Sequence, residues 1–311
     1  MGAATKQQIR EGYTSKMSSL QSRFRVALST LILVILSPQT NFAGLLSATV
    51  PPDFSLVIAE PGTALYRKHY PNGRSDFVQV INLGQGAAIK LLHGKVVDAG
   101  TGQGVYGGNN PAFWRQTLRE AWNEFALSQS NAFCITNGQF FSAREDPTQF
   151  AFPLKKDGNI ISDGYGLHAY PSQKLMLEIW RDESDIVPLS KEALYSSSAL
   201  DIIAGLSEYA SGRRPNIVTG RTFVGVADRN QDGKHEIILI FTSKRARKTE
   251  AATVLRRFGA DKVMMLDGGG STQLICKGVS YIRAARPIPQ TIAVLSRVVP
   301  LSLVPWSDSP N

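Results

Sequence analysis

The chain has 311 residues, of which 43% are hydrophobic and 19% are charged, and its formal net charge at pH 7 is +9. This composition excludes a disordered or fibrous chain, and the length suits one large domain or two small ones. The basic run at 244–248 contains no aromatic residue, so the sequence lacks the pattern of a nucleic-acid-binding stripe. The run is either a solvated loop or part of a site for an anionic substrate.

The N-terminal residues have the pattern of a secretory leader. Arg23 and Arg25 precede an apolar stretch at 26–36, and small residues such as Ala43 follow it. A helix that spans a membrane needs about 20 apolar residues, so this stretch is too short for one. We expect residues 1–43 to be a signal peptide or leader and the protein to be secreted or periplasmic. An uncleaved membrane anchor and a buried core segment are the alternatives.

Residues 44–75 hold prolines at four positions, so we expect an irregular lead-in before a domain at 76–300 and a tail at 301–311. Alternating or continuous apolar residues predict strands in that domain. The predicted strands lie at 77–83, 89–92, 132–136, 175–180, 221–227, 236–242, 262–266, 273–276 and 290–296. A glycine-rich loop is expected at 98–110 and a hairpin loop at 228–235.

Two helices are predicted. Asn110 and Pro111 have the residue types of an N-cap and a first helical position. The buried face of that helix would hold the residues at helical spacing, Trp114, Leu118, Trp122 and Phe125. Thr249 predicts the start of a second helix, and Gly259 predicts its end. Hairpin strands mixed with strand–helix alternation predict an α+β fold, a single domain with a mixed β-sheet core and packed helices.

The strongest chemical signal is the segment at 263–274, VMMLDGGGSTQL. Three consecutive glycines are entropically costly and are expected where the backbone approaches a ligand closely or takes a positive φ. The N–H groups of Gly268, Gly269 and Gly270, with hydroxyls from the next two residues, Ser271 and Thr272, would cradle phosphate oxygens. Asp267, at the end of the strand, would face the same pocket. A tight turn between two core strands is the alternative.

A second signal is Asn137-Gly138-Gln139-Phe140-Phe141. An Asn-Gly pair between apolar residues is typical of a hairpin turn. As a site, it would use Asn137 to hydrogen-bond a sugar hydroxyl and Phe140 or Phe141 to stack on a sugar ring.

The third signal is Arg221-Thr222, which opens a predicted strand. A single arginine at such a place is usually a surface charge. A planar guanidinium also suits bidentate binding of phosphate, and this makes Arg221 a candidate site residue.

The order of these three segments resembles the phosphodiester glycosidase family, which includes bacterial relatives labelled as exopolysaccharide-related. The resemblance covers roughly 77–297 and rests on Asn-Gly-x-Phe-Phe, Arg-Thr-x-x-Gly, and a helix followed by Leu-Asp-Gly-Gly-Gly-Ser-Thr. Members of that family often carry an asparagine near the last strand, where this sequence has Arg286-Pro-Ile-Pro-Gln290.

The resemblance implies cleavage of a sugar–phosphate linkage at the anomeric carbon. Asp267 would then be the nucleophile, base or electrostatic stabiliser of a cationic transition state. Arg221, with Lys244 or Arg286, would neutralise the leaving phosphate, and Asn137 would orient a sugar hydroxyl. The substrate contacts would be Gly138, Phe140, Phe141, Thr222, Lys244, Gly268, Gly269, Gly270, Ser271, Thr272 and Arg286.

A second catalytic carboxylate is not identified by the sequence, and Asp163, Glu145 and Asp146 are the nearest options. We expect a carbohydrate or glycosyl-phosphate substrate, no nucleic-acid partner, and membrane contact only through an uncleaved leader. No cofactor is expected, and a divalent cation is left open. The alternatives to a phosphodiester glycosidase are a polysaccharide-processing hydrolase or transferase without phosphate specificity and a non-catalytic glycan-binding protein.

Several weaker patterns accompany these segments. Cys134 and Cys276 are either a disulfide of an exported protein or two buried thiols. The Asp-x-Asn-x-Asp-Gly pattern at 228–233 resembles the start of a calcium loop. It lacks the glutamate expected at position twelve, so a hairpin turn is the better interpretation. The Gly-x-Gly-x-x-Gly pattern at 102–107 does not open a helix after a strand, and the four histidines lack zinc-site spacing.

Overall fold

The computed structural model describes residues 50–168, 170–210 and 216–298. The predicted leader at 1–43 and tail at 301–311 lie outside the described residues, and their boundaries stay predictions. Within the described ranges, no helix has both the length and the hydropathy needed to cross a membrane.

The described residues form nineteen strands and three α-helices. In chain order the strands are β1 (Ser55–Glu60), β2 (Thr63–His69), β3 (Ser75–Asn82), β4 (Ala88–His93), β5 (Val96–Asp98), β6 (Ala112–Phe113), β7 (Ala132–Asn137), β8 (Thr148–Gln149), β9 (Leu154–Lys156), β10 (Asn159–Ser162), β11 (Lys174–Ile179), β12 (Ser184–Pro188), β13 (Asp201–Ser207), β14 (Thr219–Ala227), β15 (Ile237–Ala246), β16 (Lys262–Met265), β17 (Leu274–Cys276), β18 (Val279–Ile282) and β19 (Gln290–Leu295). The helices are α1 (Leu118–Ser128), α2 (Lys191–Ser196) and α3 (Lys248–Arg257).

Two antiparallel sheets contain most of the strands. Sheet A has eleven strands in the order β1-β2-β3-β15-β14-β16-β13-β11-β12, with β9 paired to β13 and β10 paired to β9. Sheet B has five strands in the order β18-β17-β7-β19-β4. A small third sheet joins β5, β6 and β8. The described part of the chain is therefore predominantly β, and the predicted α+β fold with a mixed sheet is wrong.

The reason for this error lies in the connection through α3. The helix joins β15 to β16, which the sequence alone presents as a strand–helix–strand alternation. In the structure β14 lies between those two strands and pairs with both in antiparallel fashion. The helix therefore crosses over a neighbouring strand instead of producing adjacent parallel strands.

Sheets A and B face each other across an apolar core. Val224 and Ile240 of sheet A meet Leu91 and Ile292 of sheet B in this layer. The alternate residues of sheet A, such as Phe223, face the other way and pack against α3. Helix α1 covers the outer face of sheet B through its buried apolar face, Leu118, Ala121, Trp122 and Phe125. Both faces of the central strands are thus covered, which explains their nearly continuous apolar sequences.

The predicted start of the first helix at Asn110 is also wrong. Helix α1 begins at Leu118, and Thr117 is its N-cap in a capping box with Glu120. That Thr-x-x-Glu pattern satisfies two of the N–H groups that would otherwise lack partners at the helix start. Trp114 therefore precedes the helix and is 46% exposed.

At the second helix, α3 begins at Lys248, so Thr249 lies in its first turn and not at the cap. Gly259 follows the last turn with a φ of 89°, and the predicted end of this helix is confirmed. The left-handed backbone at that position favours glycine.

Where the sequence predicts an irregular lead-in, residues 55–69 form β1 and β2 at one edge of sheet A. The prolines do not interrupt these strands. Pro61 lies in the turn between β1 and β2, and Pro71 lies in the turn that follows β2. Proline at a turn leaves the hydrogen-bond ladder intact, so counting prolines alone hides the two strands.

Candidate active site

The segment 266–273 takes the chain from β16 in sheet A to β17 in sheet B. At this crossing the N–H of Leu266 donates to the carbonyl of Thr222 at 3.0 Å. The next N–H, that of Asp267, donates to the carbonyl of Gly138 at 3.0 Å. The three segments that the sequence identifies as chemical signals therefore meet at one place, between the ends of the two sheets.

Asn137 ties these segments together. Its side chain is 1% exposed, and Nδ2 donates to the carbonyl of Asp267 at 2.7 Å. Its Oδ1 accepts from Oγ1 of Thr222 at 2.9 Å and from the N–H of Gln273 at 3.2 Å. The amide thus bonds to protein groups on both sheets. These contacts assign Asn137 a positioning function, and the predicted hydrogen bond to a sugar hydroxyl is not tested.

The glycines allow close backbone approach at the crossing. A Cβ on Gly220 would lie 2.3 Å from the carbonyl oxygen of Gly269 and 2.5 Å from Oγ1 of Thr272. A Cβ on Gly268 would lie 2.6 Å from the carbonyl oxygen of Gly220. Gly269 has a φ of 61°, a conformation that favours glycine. The glycine run therefore packs directly on the segment that leads into Arg221.

Asp267 is partly buried, and its Oδ1 accepts from the N–H of Gly268 at 2.9 Å. The N–H groups of Ser271 and Thr272 donate to the carbonyls of Gly268 and Gly269, which closes a short 3-10 turn at Gly269–Ser271. Of the three glycine N–H groups predicted to cradle phosphate, that of Gly268 already has an acceptor within the loop.

Arg221 lies in β14 and is 6% exposed. Its Nη2 donates to the carbonyl of Ile217 at 3.2 Å, and burial lowers the pKa of its guanidinium. Lys248 is also buried, and its Nζ donates to the carbonyl of Ala210 at 2.8 Å. The pKa of Lys248 is lowered mainly by burial and secondly by the charge of Arg221. Arg221 and Lys248 are thus two buried cations close enough for the charge of Arg221 to lower the pKa of Lys248, and their combined field favours a nearby anion.

Ser271 and Thr272, predicted to offer hydroxyls to phosphate, are fully buried. Oγ of Ser271 accepts from Nη1 of Arg286 at 3.3 Å. Oγ1 of Thr272 has no hydrogen-bond partner among the described residues. Arg286 is exposed and lies over the glycine run, because a Cβ on Gly270 would come within 2.8 Å of its guanidinium. The structure therefore brings Arg286 to the glycine run, and its predicted contact with the substrate phosphate stays a prediction.

The other predicted contacts are Phe140, Phe141 and Lys244. Phe140 packs edge to face on Phe152, with ring centroids 5.8 Å apart. Phe141 forms an isolated bridge with Phe150 and packs on the core beneath α1. Lys244 lies near the end of β15. Its pKa is lowered mainly by partial desolvation and secondly by the charge of Arg286. Sugar stacking by either phenylalanine stays a prediction.

Three buried glutamines of the site were not identified from the sequence. Gln290 opens β19, and its Oε1 accepts from the N–H of Gln139 at 2.9 Å. Gln273 donates from Nε2 to the carbonyl of Arg286 at 2.9 Å. Gln139 is 2% exposed, and neither atom of its amide has a hydrogen-bond partner among the described residues. The signal that was available is position, because Gln139 and Gln273 lie inside two of the motifs and Gln290 follows the stretch 286–289.

Asp163, one of the carboxylates nearest by sequence, holds the glycine-rich loop. It is fully buried and accepts from the N–H of Gly108 at 2.6 Å and from the hydroxyl of Tyr195 at 2.9 Å. The pKa of Tyr195 is raised to about 12, mainly by burial and secondly by the hydrogen bond to Asp163. Asp146 pairs with Arg115. These contacts tie Asp163 and Asp146 to neighbouring segments, and which residue is the second catalytic carboxylate stays open.

The cysteine alternative is decided in favour of pairing. Cys134 in β7 and Cys276 in β17 are register partners and form a disulfide with Cα atoms 4.0 Å apart.

The predicted hairpin loop at 228–235 is confirmed, and Asp228 accepts there from the N–H groups of Asp232 and Gly233. No group of three His, Cys, Asp or Glu side chains within the described ranges has the arrangement of a metal site.

A comparison with solved structures finds related folds. The catalytic domain of zebrafish N-acetylglucosamine-1-phosphodiester alpha-N-acetylglucosaminidase, auto-inhibited by its pro-peptide, matches with a TM-score of 0.52 at 14% identity, over 80% of this chain and 85% of that one. A hypothetical protein from Synechocystis matches with a TM-score of 0.46 at 13% identity, over 80% and 65%. A protein from Burkholderia pseudomallei matches with a TM-score of 0.45 at 14% identity, over 71% and 74%.

Comparison of the sequence with known protein families identifies a family. No curated protein matches the chain. A family model described as phosphodiester glycosidase matches residues 86–295, about two thirds of the chain. The matched range contains Asn137, Arg221 and Asp267, the three residues whose segments meet at the sheet crossing. The chain belongs to the phosphodiester glycosidase family.

Proposed function

We propose that this protein is an exported glycoside hydrolase that cleaves the bond between the anomeric carbon of a sugar and a phosphate oxygen. The observation that carries the proposal is the meeting of Asp267, the buried Arg221 and the glycine run at one sheet crossing, within the range that matches the family. Family membership supports glycosidase chemistry, and the substrate and the site of action belong to the proposal.

In the proposed reaction the bond between C1 and the phosphate oxygen breaks, and the phosphate leaves with the electron pair. A water oxygen then supplies the new bond at C1, and its proton passes to a base. Positive charge develops at the anomeric carbon, so a carboxylate close to that carbon lowers the barrier. Asp267 is the carboxylate at the crossing, and we assign it this function.

The leaving group is a phosphate monoester, which is stable as an anion. It therefore needs a positive field more than a strong general acid. We assign that field to Arg221 and Lys248, because both side chains are cations and both are buried. A buried cation gains more from an arriving anion than an exposed one, since water screens it less.

Export is part of the proposal on two grounds. Residues 1–43 have the pattern of a leader. The disulfide between Cys134 and Cys276 is a bond that persists in oxidising compartments outside the cytosol.

The test measures free sugar released by the full chain from a panel of sugar-1-phosphodiesters and from plain glycosides, with and without EDTA. Wild type is compared with Asp267→Asn, Arg221→Lys and Arg221→Ala. Asp182→Asn and Arg181→Ala, on the exposed turn between β11 and β12, are the matched controls. Circular dichroism and thermal unfolding of each variant establish that it is folded.

We expect turnover of phosphodiesters by wild type and both controls, and a loss of at least about 100-fold in Asp267→Asn and Arg221→Ala. Turnover of plain glycosides alone would favour a polysaccharide-processing hydrolase. Glycan binding without turnover, unchanged in Asp267→Asn, would favour a binding protein. Activity lost in EDTA and restored by a divalent cation would add that cation to the reaction.

A further inference from the structure

A pocket of about 530 Å³ lies between the turn after β2, the end of β15 and the strand β18. Its volume is in the range of small-molecule sites. Five of its lining residues are cations, and none of its lining residues is an aspartate or glutamate. The cations are Arg67, Arg74, Lys244, Arg245 and Arg283. We call this the basic pocket.

Most of this positive charge is not compensated. Arg74 pairs with Asp76 and Glu250. The other four cations form no ion pair with any residue in the described ranges. Cations gathered around one concave surface repel each other and create a positive potential that attracts anions. Arginine is also the side chain whose planar fork best fits a phosphate group.

The basic pocket adjoins the candidate active site along two stretches of chain. Arg221 pairs across the sheet with Ser243, and Lys244 is the next residue of that strand. Arg283 lies three residues before Arg286, which contacts Ser271 beside the glycine run. The charge of Arg286 also acts on Lys244, whose pKa is lowered first by burial and next by that charge. An anion bridging the two regions would relieve this repulsion.

The wall of the basic pocket also offers an aromatic surface. Tyr281 is partly exposed there and packs on Phe77, with ring centroids 5.4 Å apart. The hydroxyl-bearing residues Ser75 and Ser280 line the same wall. A pocket with arginines, hydroxyls and an aromatic ring suits a phosphorylated polar molecule better than a simple inorganic ion.

We propose that the basic pocket binds a second phosphate on the leaving-group side of the substrate. The substrate is then a sugar whose phosphate-linked partner is itself phosphorylated. This inference rests on the proposed function and narrows its substrate class. The second phosphate has two chemical sources: the distal phosphate of a diphosphate leaving group, or the next unit of a polymer joined by phosphodiesters.

The experiment uses the full chain and three substrates with the same sugar: a methyl phosphodiester, a nucleoside diphosphate sugar, and a sugar phosphodiester of glycerol phosphate. Values of kcat/KM are compared for wild type, Arg245→Glu, Arg283→Glu and the double variant. These side chains are exposed and make no hydrogen bond among the described residues, so the variants are expected to fold. Arg181→Glu is the control at an exposed site outside the pocket.

We expect wild type to prefer a substrate with the second phosphate, and each charge reversal to reduce that preference by about tenfold. The two sources of the second phosphate are distinguished by the substrate that loses more of its preference in the variants. A larger loss for the nucleoside diphosphate sugar indicates a diphosphate leaving group, and a larger loss for the glycerol phosphate substrate indicates a polymer. The preference should be unchanged in Arg181→Glu. Equal kcat/KM on all three substrates, or an equal loss in the control, would overturn the inference while leaving the proposed function in place.

Direct binding separates the two proposals if no substrate is turned over. Calorimetric titration with pyrophosphate and with glycerol phosphate is compared in wild type and the double variant. Binding that the double variant loses, and that methyl phosphate and citrate do not reproduce, supports the basic pocket without the glycosidase activity. Equal binding of citrate, or of a short DNA oligonucleotide, would mean a general affinity for anions and would contradict the inference.

Discussion

The side-chain amide of Asn137 donates to the main-chain carbonyl of Asp267 at 2.7 Å, although 130 positions separate the two residues in the chain. The same amide accepts from Thr222 and Gln273. A single buried side chain therefore fixes the backbone on which the candidate catalytic carboxylate is mounted.

Asn137→Ala is expected to lower the free energy of unfolding by about 2–4 kcal/mol. The change leaves the hydroxyl of Thr222 and the N–H of Gln273 buried without an acceptor, and each such group costs about 1–3 kcal/mol. Urea unfolding measures the loss. Asn159→Ala, at an exposed position in β10, is the control, with a change within about 0.5 kcal/mol. A loss below about 1 kcal/mol in Asn137→Ala would show that Asn137 does not tie the segments together.

Gly220→Ala is expected to destabilise the protein by about 2 kcal/mol or more, because the added methyl group would overlap backbone and side-chain atoms of the glycine loop. Sugar release should fall as well, since the loop must move away from Arg221. Gly84→Ala is the control, because its new Cβ would have no neighbour closer than 3.4 Å. Thermal unfolding compares the two variants, and similar midpoints would rule out the close approach.

Gln139→Leu is expected to raise the free energy of unfolding by about 1 kcal/mol. The wild-type amide is buried without a hydrogen-bond partner among the described residues, and removing such a group is neutral or stabilising. Sites that bind ligands commonly retain destabilising groups of this kind, so sugar release should fall while stability rises. Gln103→Leu, at an exposed position, serves as the comparison. A less stable Gln139→Leu variant would indicate that the amide supports the fold.

His93 is expected to make the protein less stable as the pH falls below about 6.5. Burial lowers the pKa of His93 from its usual 6.5, so below that value the unfolded chain binds a proton that the folded chain does not. Stability therefore rises with pH in this window. Urea unfolding of wild type and His93→Gln between pH 8 and pH 5 should show a steeper loss in wild type. At pH 8 the imidazole of His93 is neutral in both the folded and the unfolded chain, so the stabilities measured there set the baseline. Parallel stability curves for the two proteins down to pH 5 would contradict the prediction.

Much of the strand content follows from the sequence alone. Alternating or continuous apolar residues predict β3, β7, β14 and β15 close to their observed bounds, because each strand must bury at least one face. Strand pairing does not follow, since it depends on contacts far apart in the chain. The pairing of β14 with both β15 and β16 is an example of such distant contacts. It makes the sheet antiparallel at this place, whereas the predicted α+β fold assumed a mixed sheet.

The candidate site was predictable to a similar degree. The motifs around Asn137, Arg221 and Asp267 are visible as sequence, and their resemblance to one family predicts that they act together. The position of the glutamines in or beside the motifs was visible, but their burial was not predictable, because a single glutamine has no pattern that distinguishes a surface residue from a buried one. The burial of Thr222 and Ser271 is likewise a result of the crossing between the sheets, which no local pattern encodes.

The disulfide joins residues 142 positions apart, and its ends lie on either side of most of the site. Cys134 precedes Asn137 by three residues, and Cys276 follows Asp267 by nine. Suppose that the exposed hairpin at 228–236 is cut once by a protease. One fragment then contains Asn137 and Arg221 and the other contains Asp267, yet the two remain a single covalent molecule. On an electrophoresis gel the nicked protein would run as two bands only after reduction.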